Sequence, residues 1–192
     1  MKKIFFGFLF LLFNLNIQDG RMLLNLLPDC IGYVLLLLGS RELASQASAF
    51  SRVPIPAAIS AVYSLISWIL DVLGITLAQK LLTNLLTLGN LLFSVWISGL
   101  IVRGILQLQT RWGDLGGVVL RRRWRFSVLF QCLTYLLSIL LLAASSTSLI
   151  TLISMVASVC MIPTLVFYVL VVLSVYRAWK QYDQRRNYPQ QE

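Results

Sequence analysis

Histidine is absent from the 192-residue chain, and aspartate and glutamate together number only 7. Without an imidazole the chain cannot provide a histidine general base, a histidine metal ligand or an HExxH zinc motif. The three cysteines, at positions 30, 132 and 160, lie far apart and form neither a CxxC redox motif nor a disulfide framework. A glycine-rich stretch at 113–117 lacks the Gly-Lys-Ser/Thr of a phosphate-binding loop. We therefore predict no metal site, no cofactor and no enzymatic activity.

Charged residues are also scarce, at 12% of the chain, against about 25% in soluble domains. Hydrophobic residues make up 58% of the chain, and the mean hydropathy is +0.82. A single core in a protein of this size cannot cover so much apolar surface, which excludes a water-soluble domain. Long apolar runs recur from the first residues to Tyr176, and they predict an all-α integral membrane protein.

Six membrane-spanning helices are predicted, within a single transmembrane domain that covers residues 1–176. They lie at about 4–17, 22–43, 53–77, 81–102, 126–144 and 149–176. Two alternatives stay open for the first hairpin: it spans fully, or residues 14–27 form an outer loop before a helix that begins at Pro28. With the N-terminus inside, only Arg21 and Lys80 of the 16 basic residues lie outside. This positive-inside bias predicts a cell-membrane protein with both termini cytoplasmic and a basic tail at 177–192.

Basic residues near the inner surface account for the formal net charge of +9. Arg121, Arg122, Arg123 and Arg125 come directly before an apolar span, where guanidinium groups meet anionic lipid headgroups. We predict that they contact the lipid bilayer and that the protein binds no nucleic acid. Two short amphipathic segments, at 41–52 and 103–125, are predicted to lie along the inner surface of the membrane.

Small and polar residues recur at alternating intervals of three and four along the third and fourth spans, so that each span has one such face. They are Ala57, Ser60, Ser64, Ser67, Asp71, Gly74 and Ala78, then Thr83, Thr87, Asn90 and Ser94. An antiparallel hairpin would place Asp71 level with Thr87, Ser64 with Ser94 and Ser60 with Ser98. Two interpretations stay open, a helix-packing seam and a water-accessible path lined by hydroxyl groups.

Polar side chains on the last two spans extend this pattern. The fifth span has one polar face, and the first half of the sixth span has another. The residues are Ser127, Gln131, Thr134 and Ser138, followed by Thr151, Ser154 and Ser158. Polar faces on four spans predict a compact bundle with a polar interior and a leucine-rich face toward lipid.

Two aspartates, Asp29 and Asp71, lie within predicted spans, where acidic side chains are costly unless they face the interior. Both are expected in the outer leaflet, with Asn84, Thr87 and Asn90 as polar neighbours. This cluster is the candidate ligand site, for a cation, a proton or a polar solute. A structural role is the alternative, because Asp29 can complement a helix dipole and Asp71 can pair with a nearby basic side chain.

The N-terminal quarter of the chain carries the motif Leu26-Leu27-Pro28-Asp29-Cys30-Ile31-Gly32-Tyr33 after a hydrophobic segment at 4–13. Residues 1–52 resemble a group of small multi-pass membrane proteins of Gram-positive anaerobic bacteria, which begin with a hydrophobic hairpin containing LPDxIGY. That group has no assigned activity, so the resemblance implies a membrane location and no chemistry. Gly32 and Gly39 fall on one face of the second span, where a neighbouring helix can approach closely.

A non-enzymatic scaffold or accessory subunit of a membrane complex is the function that the sequence favours. Small-residue seams suit assembly with a membrane-protein partner or with a second copy of the chain, and the basic inner surface suits anionic lipid. The alternative is a solute-binding transport component or small carrier with a carboxylate site in the outer leaflet. A scaffold should tolerate Asp71→Asn and copurify with a partner, whereas a transporter should lose its solute.

Overall fold

Helices make up nearly all of the computed structural model, which describes residues 1–12, 16–19, 22–25, 29–72, 80–143 and 146–187. Side chains are described for these ranges except 16–19, 22–25, 71–72, 80–87 and 142–143. Four helices in this part are long and apolar enough to cross a membrane, in the segments Phe50–Leu70, Leu88–Trp112, Gly117–Leu141 and Thr147–Asn187. The architecture agrees with the predicted class, a helical membrane protein.

Two short helices and a small hairpin open the described chain. Helices α1 (Lys2–Leu12) and α2 (Asp29–Leu43) flank the antiparallel strands β1 (Asn16–Asp19) and β2 (Met22–Asn25). A 3-10 turn at Phe50–Arg52 leads into α3 (Pro54–Val72). Proline suits the first position of α3, because the N–H groups of a first helical turn have no partner within the helix. The long helices α4 (Lys80–Trp112), α5 (Gly117–Ala143) and α6 (Thr147–Asn187) follow.

The first two predicted spans differ from the structure. Residues inside the predicted helices at 4–17 and 22–43 form β1 and β2, and α2 begins only at Asp29. A helix rises about 1.5 Å per residue, so α1 and α2 are roughly 16 and 22 Å long. The hydrocarbon core of a bilayer is about 30 Å thick. Neither helix crosses it alone, so the first hairpin is not a pair of full helical spans.

Helices α1 and α2 pack closely against each other, and two glycines of α2 lie in the contact. A Cβ atom at Gly32 would lie 2.9 Å from a side-chain atom of Leu11, and one at Gly39 would lie 2.7 Å from Ile4. Both distances are too short for a real Cβ contact, so only glycine allows this approach. Gly32 and Gly39 therefore allow the close approach of α1.

One end of the bundle brings together the N-terminus, the C-terminal ends of α2, α4 and α6, and the turn at 113–116. We refer to it as the basic end. Lys3 on α1 forms an ion pair with Glu42 on α2 there. Arg185 on α6 donates a hydrogen bond to the carbonyl of Trp112 at the end of α4. These contacts place both ends of the described chain on the same side of the bundle.

The segment predicted to lie along the inner surface at 103–125 is instead divided between α4 and α5. Gly113 and Gly116 make the turn between them, with φ of 73° and 71°, a conformation that favours glycine. Ile105 and Leu108, the apolar stripe behind that prediction, are fully buried. In the other predicted segment, 41–52, Phe50 is fully buried as well. The prediction of one interfacial segment at 103–125 is wrong, because this stretch belongs to two long helices whose apolar residues pack on protein. The apolar residues of 41–52 pack on protein as well.

The basic tail predicted from residue 177 is helical as far as Asn187, since α6 continues without a break. Tyr182 is buried, and its hydroxyl donates a 2.9 Å hydrogen bond to Gln46 Oε1. Trp179 stacks on Phe5 of α1 with 5.7 Å between ring centroids. The first turns of the predicted tail are therefore docked on the basic end and are not a solvated extension.

The buried apolar core also lies toward the basic end. Its fully buried members include Ile4, Leu36, Val53, Ile97, Ile101, Ile105, Leu108, Leu115 and Leu120. Large apolar side chains elsewhere face outward, above all on α3, α5 and α6, as in Ile55, Leu129 and Leu152. Such a surface suits lipid and does not suit water.

Candidate functional site

A cavity of about 400 Å³ lies between α2, α4, α5 and α6, and nearly all the side chains around it are polar. Leu11 and Leu91 are its apolar members. The polar members are Asp29, Tyr33, Asn90, Ser94, Gln131, Thr134, Tyr135, Ser138, Thr164 and Tyr168. Its volume falls within the range of about 300–1,000 Å³ that is typical of small-molecule sites.

Helical spacing explains how each helix contributes to this cavity. Side chains three or four residues apart lie on one face of a helix. Three helices contribute pairs four residues apart, and α5 contributes four side chains at the same periodicity. The pairs are Asp29 and Tyr33 on α2, Asn90 and Ser94 on α4, and Thr164 and Tyr168 on α6; α5 adds Gln131, Thr134, Tyr135 and Ser138.

Hydrogen bonds join α2 to α4 on one side of the cavity. The hydroxyl group of Tyr33, a residue only 3% exposed, donates to Asn90 Oδ1 over 3.4 Å. Ser94, one turn further along α4, lines the cavity beside this contact. This side of the cavity is therefore ordered by a polar contact between two helices.

The threonine and serine hydroxyls on the opposite side are bonded within their own helices. Thr134 donates to the carbonyl of Phe130 and Thr164 to the carbonyl of Cys160, each over 2.9 Å. The two threonine hydroxyls lie 3.4 Å apart, which joins α5 to α6. Ser138 donates to the carbonyl of Thr134 over 3.0 Å. These hydroxyl groups form a polar wall, and each already donates its hydrogen to a backbone carbonyl of its own helix.

Gln131 and Tyr168 differ from this wall. Within the described ranges, neither the amide of Gln131 nor the hydroxyl of Tyr168 makes a hydrogen bond. Both residues also line two neighbouring spaces, a small cavity toward Trp124 and an apolar groove beside Leu12 and Met161. Gln131 and Tyr168 therefore lie where the three cavities meet, and their polar groups are available to bond a ligand.

Asp29 supplies a carboxylate to the cavity, and the described part of the lining contains no lysine or arginine. Helix α2 has 15 residues, so Asp29 lies about 21 Å along the axis from its end at the basic end. The cavity therefore lies well away from the basic end, and its lining can accept hydrogen-bonding groups and positive charge.

Only part of the candidate ligand site predicted from the sequence can be placed. Asp29 and Asn90 both line the cavity. The side chains of Asp71, Asn84 and Thr87 lie outside the described residues.

The predicted pairing of the third and fourth spans is a minor contact of α3 in the structure. Helix α3 turns its small residues inward, with Ser60 buried, but it packs mainly on α2. Ser60 Oγ has no hydrogen-bond partner within the described chain. Ser98 instead accepts a 2.9 Å hydrogen bond from Trp124 Nε1 of α5. Ser94 faces the cavity and makes no hydrogen bond to Ser64 among the described residues.

The remaining seam residue, Ser67, is half-buried on the inner face of α3.

The four arginines predicted to contact headgroups are of two kinds in the structure. Arg121, Arg122 and Arg125 are exposed. Arg123 is half-buried, and its guanidinium group donates a 2.7 Å hydrogen bond to Ser174 Oγ of α6.

Eight polar residues of the cavity were not among the predicted ligand residues: Tyr33, Ser94, Gln131, Thr134, Tyr135, Ser138, Thr164 and Tyr168. The predicted polar face of the fifth span contained Gln131, Thr134 and Ser138, so the signal was present in the sequence. The sequence did not indicate that this face meets α2 and α4, because helix neighbours depend on tertiary packing.

Comparison of the chain with protein-family models, with curated proteins and with solved structures found no match. Among the described residues, no group of three or more histidine, cysteine, aspartate or glutamate side chains is placed to hold a metal ion.

Proposed function

We propose that this protein binds a small hydrogen-bonding solute, neutral or cationic, within the membrane, as a transport component or small carrier. The cavity carries this proposal, because polar side chains from four helices converge on open space. Gln131 and Tyr168 supply uncommitted hydrogen-bonding groups in the described part of the cavity. Asp29 supplies a carboxylate to the described lining, and a carboxylate disfavours an anion.

A helix-packing seam accounts less well for these side chains. Polar groups in a seam close onto one another across the helices, with hydrogen bonds that average about 0.6 kcal/mol. Here the polar groups line about 400 Å³ of open space. The amide of Gln131 and the hydroxyl of Tyr168 make no hydrogen bond in the described chain, and such groups are costly in a membrane unless water or a solute satisfies them.

The scaffold or accessory-subunit role ranks second. It requires a surface for a partner and no internal cavity. The outward apolar faces of α3, α5 and α6 could contact a partner protein or another copy of the chain, but lipid covers such faces equally well. The described residues therefore favour solute binding over the scaffold role.

The proposed orientation has six membrane segments and both termini in the cytoplasm of a bacterial cell. The distribution of basic residues supports it, since 14 of the 16 lie on one side in that arrangement. The contacts at the basic end are compatible with it, as is the N-terminal resemblance. The first two segments are then α1 and α2 extended by β1 and β2.

Thermal unfolding of the purified protein in mild detergent tests solute binding, with amino acids, vitamins, polyamines and inorganic cations as probes. A ligand present at a hundred times its dissociation constant should add about 2.7 kcal/mol to the free energy of unfolding. Gln131→Leu removes an uncommitted amide from the cavity and should abolish the shift. If no compound stabilises the wild type, or if Gln131→Leu keeps the shift, the proposal is wrong for those compounds.

Helix α6 offers a matched control for this experiment. Thr164 and Thr151 each donate a 2.9 Å hydrogen bond to the carbonyl four residues earlier. Only Thr164 lines the cavity, whereas Thr151 is exposed on the outside of the bundle. Thr164→Val should weaken ligand binding and Thr151→Val should leave it unchanged. Equal effects would show a general response of the helix.

A further inference from the structure

A second cavity, of about 520 Å³, lies between α4 and α5 toward the basic end. Three arginines line it: Arg103 from α4, and Arg121 and Arg125 from α5. The two arginines of α5 are four residues apart and so lie on one face of the helix. No acidic residue belongs to the described part of the lining. The cavity therefore concentrates three like charges without a described acidic side chain to balance them.

These three arginines also lack partners in the described chain. Arg103, Arg121 and Arg125 are exposed and make neither a hydrogen bond nor an ion pair with any described residue. Their neighbours differ, because Arg123 donates to Ser174 and Arg185 donates to the Trp112 carbonyl. A convergent group of free guanidinium groups suits an anion with several oxygen atoms, above all a phosphate.

The other half of the cavity is apolar. Val95, Trp96, Gly99 and Leu100 line it on α4, further from the basic end. Trp96 lies about 10 Å along the helix axis from Arg103, at 1.5 Å per residue, and its side chain is 56% exposed. This half therefore faces the hydrocarbon region, while the arginines lie near the membrane surface.

Trp124 forms the wall between the two helices in this cavity. Its indole N–H donates to Ser98 Oγ over 2.9 Å, which holds the ring against α4. A Cβ atom at Gly99 would lie 3.0 Å from the ring, so the glycine gives the indole room. The apolar wall is thus held in place by a hydrogen bond before any ligand binds.

We propose that this cavity binds one anionic phospholipid, with its phosphate on Arg103, Arg121 and Arg125 and its acyl chains beside Trp96 and Gly99. A free phosphate ion would satisfy the arginines but would leave the apolar half of the cavity empty. Basic pockets between membrane helices on the cytoplasmic side suit lipid headgroups for the same reason. The proposed site is more specific than a general attraction between basic residues and the membrane, because Arg122 and Arg123 do not line it.

Lipid binding by the purified protein in a non-ionic detergent tests this proposal, with native mass spectrometry as the readout. The probes are phosphatidylglycerol, phosphatidylcholine of the same acyl chains, and inorganic phosphate. We expect phosphatidylglycerol to remain bound, phosphatidylcholine to dissociate, and inorganic phosphate to compete only weakly. Equal retention of the two lipids would overturn the proposal. Displacement of phosphatidylglycerol by inorganic phosphate at equal concentration would instead indicate a free-anion site.

Arg125→Gln and Arg122→Gln form a matched pair, since each removes one exposed charge from the same turn of α5. A basic group near an anionic surface is worth about 1 kcal/mol, or about fivefold in affinity. Arg125→Gln and Arg103→Gln should each weaken phosphatidylglycerol binding about fivefold, whereas Arg122→Gln should change it less than about twofold. Equal loss in Arg122→Gln would show a diffuse surface attraction and refute a defined site. Gln131→Leu, which tests the solute cavity, should leave lipid binding intact, so the two proposals fail separately.

Discussion

Gly104 and Gly89 both lie within α4, but their surroundings differ. A Cβ atom at Gly104 would lie 2.6–2.8 Å from three atoms of the Phe50 ring, which is fully buried. A Cβ atom at Gly89 would meet no heavy atom of the described chain within 4 Å. The same substitution to alanine at both positions therefore separates helix propensity from packing.

Alanine is more favourable than glycine in a helix interior by about 0.5–1 kcal/mol. We expect Gly89→Ala to show this gain alone. Gly104→Ala should show the same gain minus the cost of forcing the Phe50 ring to move, which is about 1–3 kcal/mol for an overpacked core. The helix term cancels in the comparison, so Gly104→Ala should be less stable than Gly89→Ala by about 1–3 kcal/mol.

Unfolding in mixed micelles with increasing dodecyl sulfate measures this difference. A second change, Phe50→Leu, should make Gly104→Ala less costly, because a smaller side chain leaves room for the methyl group. If Gly104→Ala is as stable as Gly89→Ala, the Phe50 ring does not pack on Gly104. The docking of the 3-10 turn on α4 would then be wrong.

Two further predictions concern the basic end and the topology. Tyr182→Phe removes the hydrogen bond to Gln46 and should lower the free energy of unfolding by about 0.5–1.5 kcal/mol in the same assay. Tyr176→Phe is the control on the same helix and should leave the free energy of unfolding unchanged, because Tyr176 makes no hydrogen bond in the described chain. Equal effects of the two changes would contradict the docking of α6 on the basic end. In a protein whose cysteines are replaced by alanine, Asp114→Cys should react with a membrane-impermeant maleimide only from the cytoplasm, and Ser146→Cys only from outside. Labelling of both from one side would refute a membrane crossing by α5.

The sequence predicted helix faces better than it predicted which helices meet. The small residues of α3 are spaced at three and four, and Ser60 on that face is buried in the structure. Spacing along one helix carries this information, because burial follows the helical period. Helix α3 packs mainly on α2 and less on α4, and Ser98 of α4 bonds to Trp124 of α5. Neighbours along the chain were assumed to pair, whereas the choice of partner depends on contacts over long sequence separations.

The arginine run at 121–125 is a second example. The helical period determines which face of α5 each arginine lies on, and tertiary packing determines what each face contacts. Successive side chains on an α-helix are about 100° apart, so Arg121 and Arg125 differ by about 40° and Arg123 lies nearly opposite to Arg121. The run is therefore not one basic surface. The structure places Arg121 and Arg125 in the cavity beside α4 and turns Arg123 toward Ser174 on α6. Opposite faces of α5 thus carry arginines with different surroundings: Arg123 bonds to α6, whereas Arg121 and Arg125 line the cavity beside Arg103 without a hydrogen bond to any described residue.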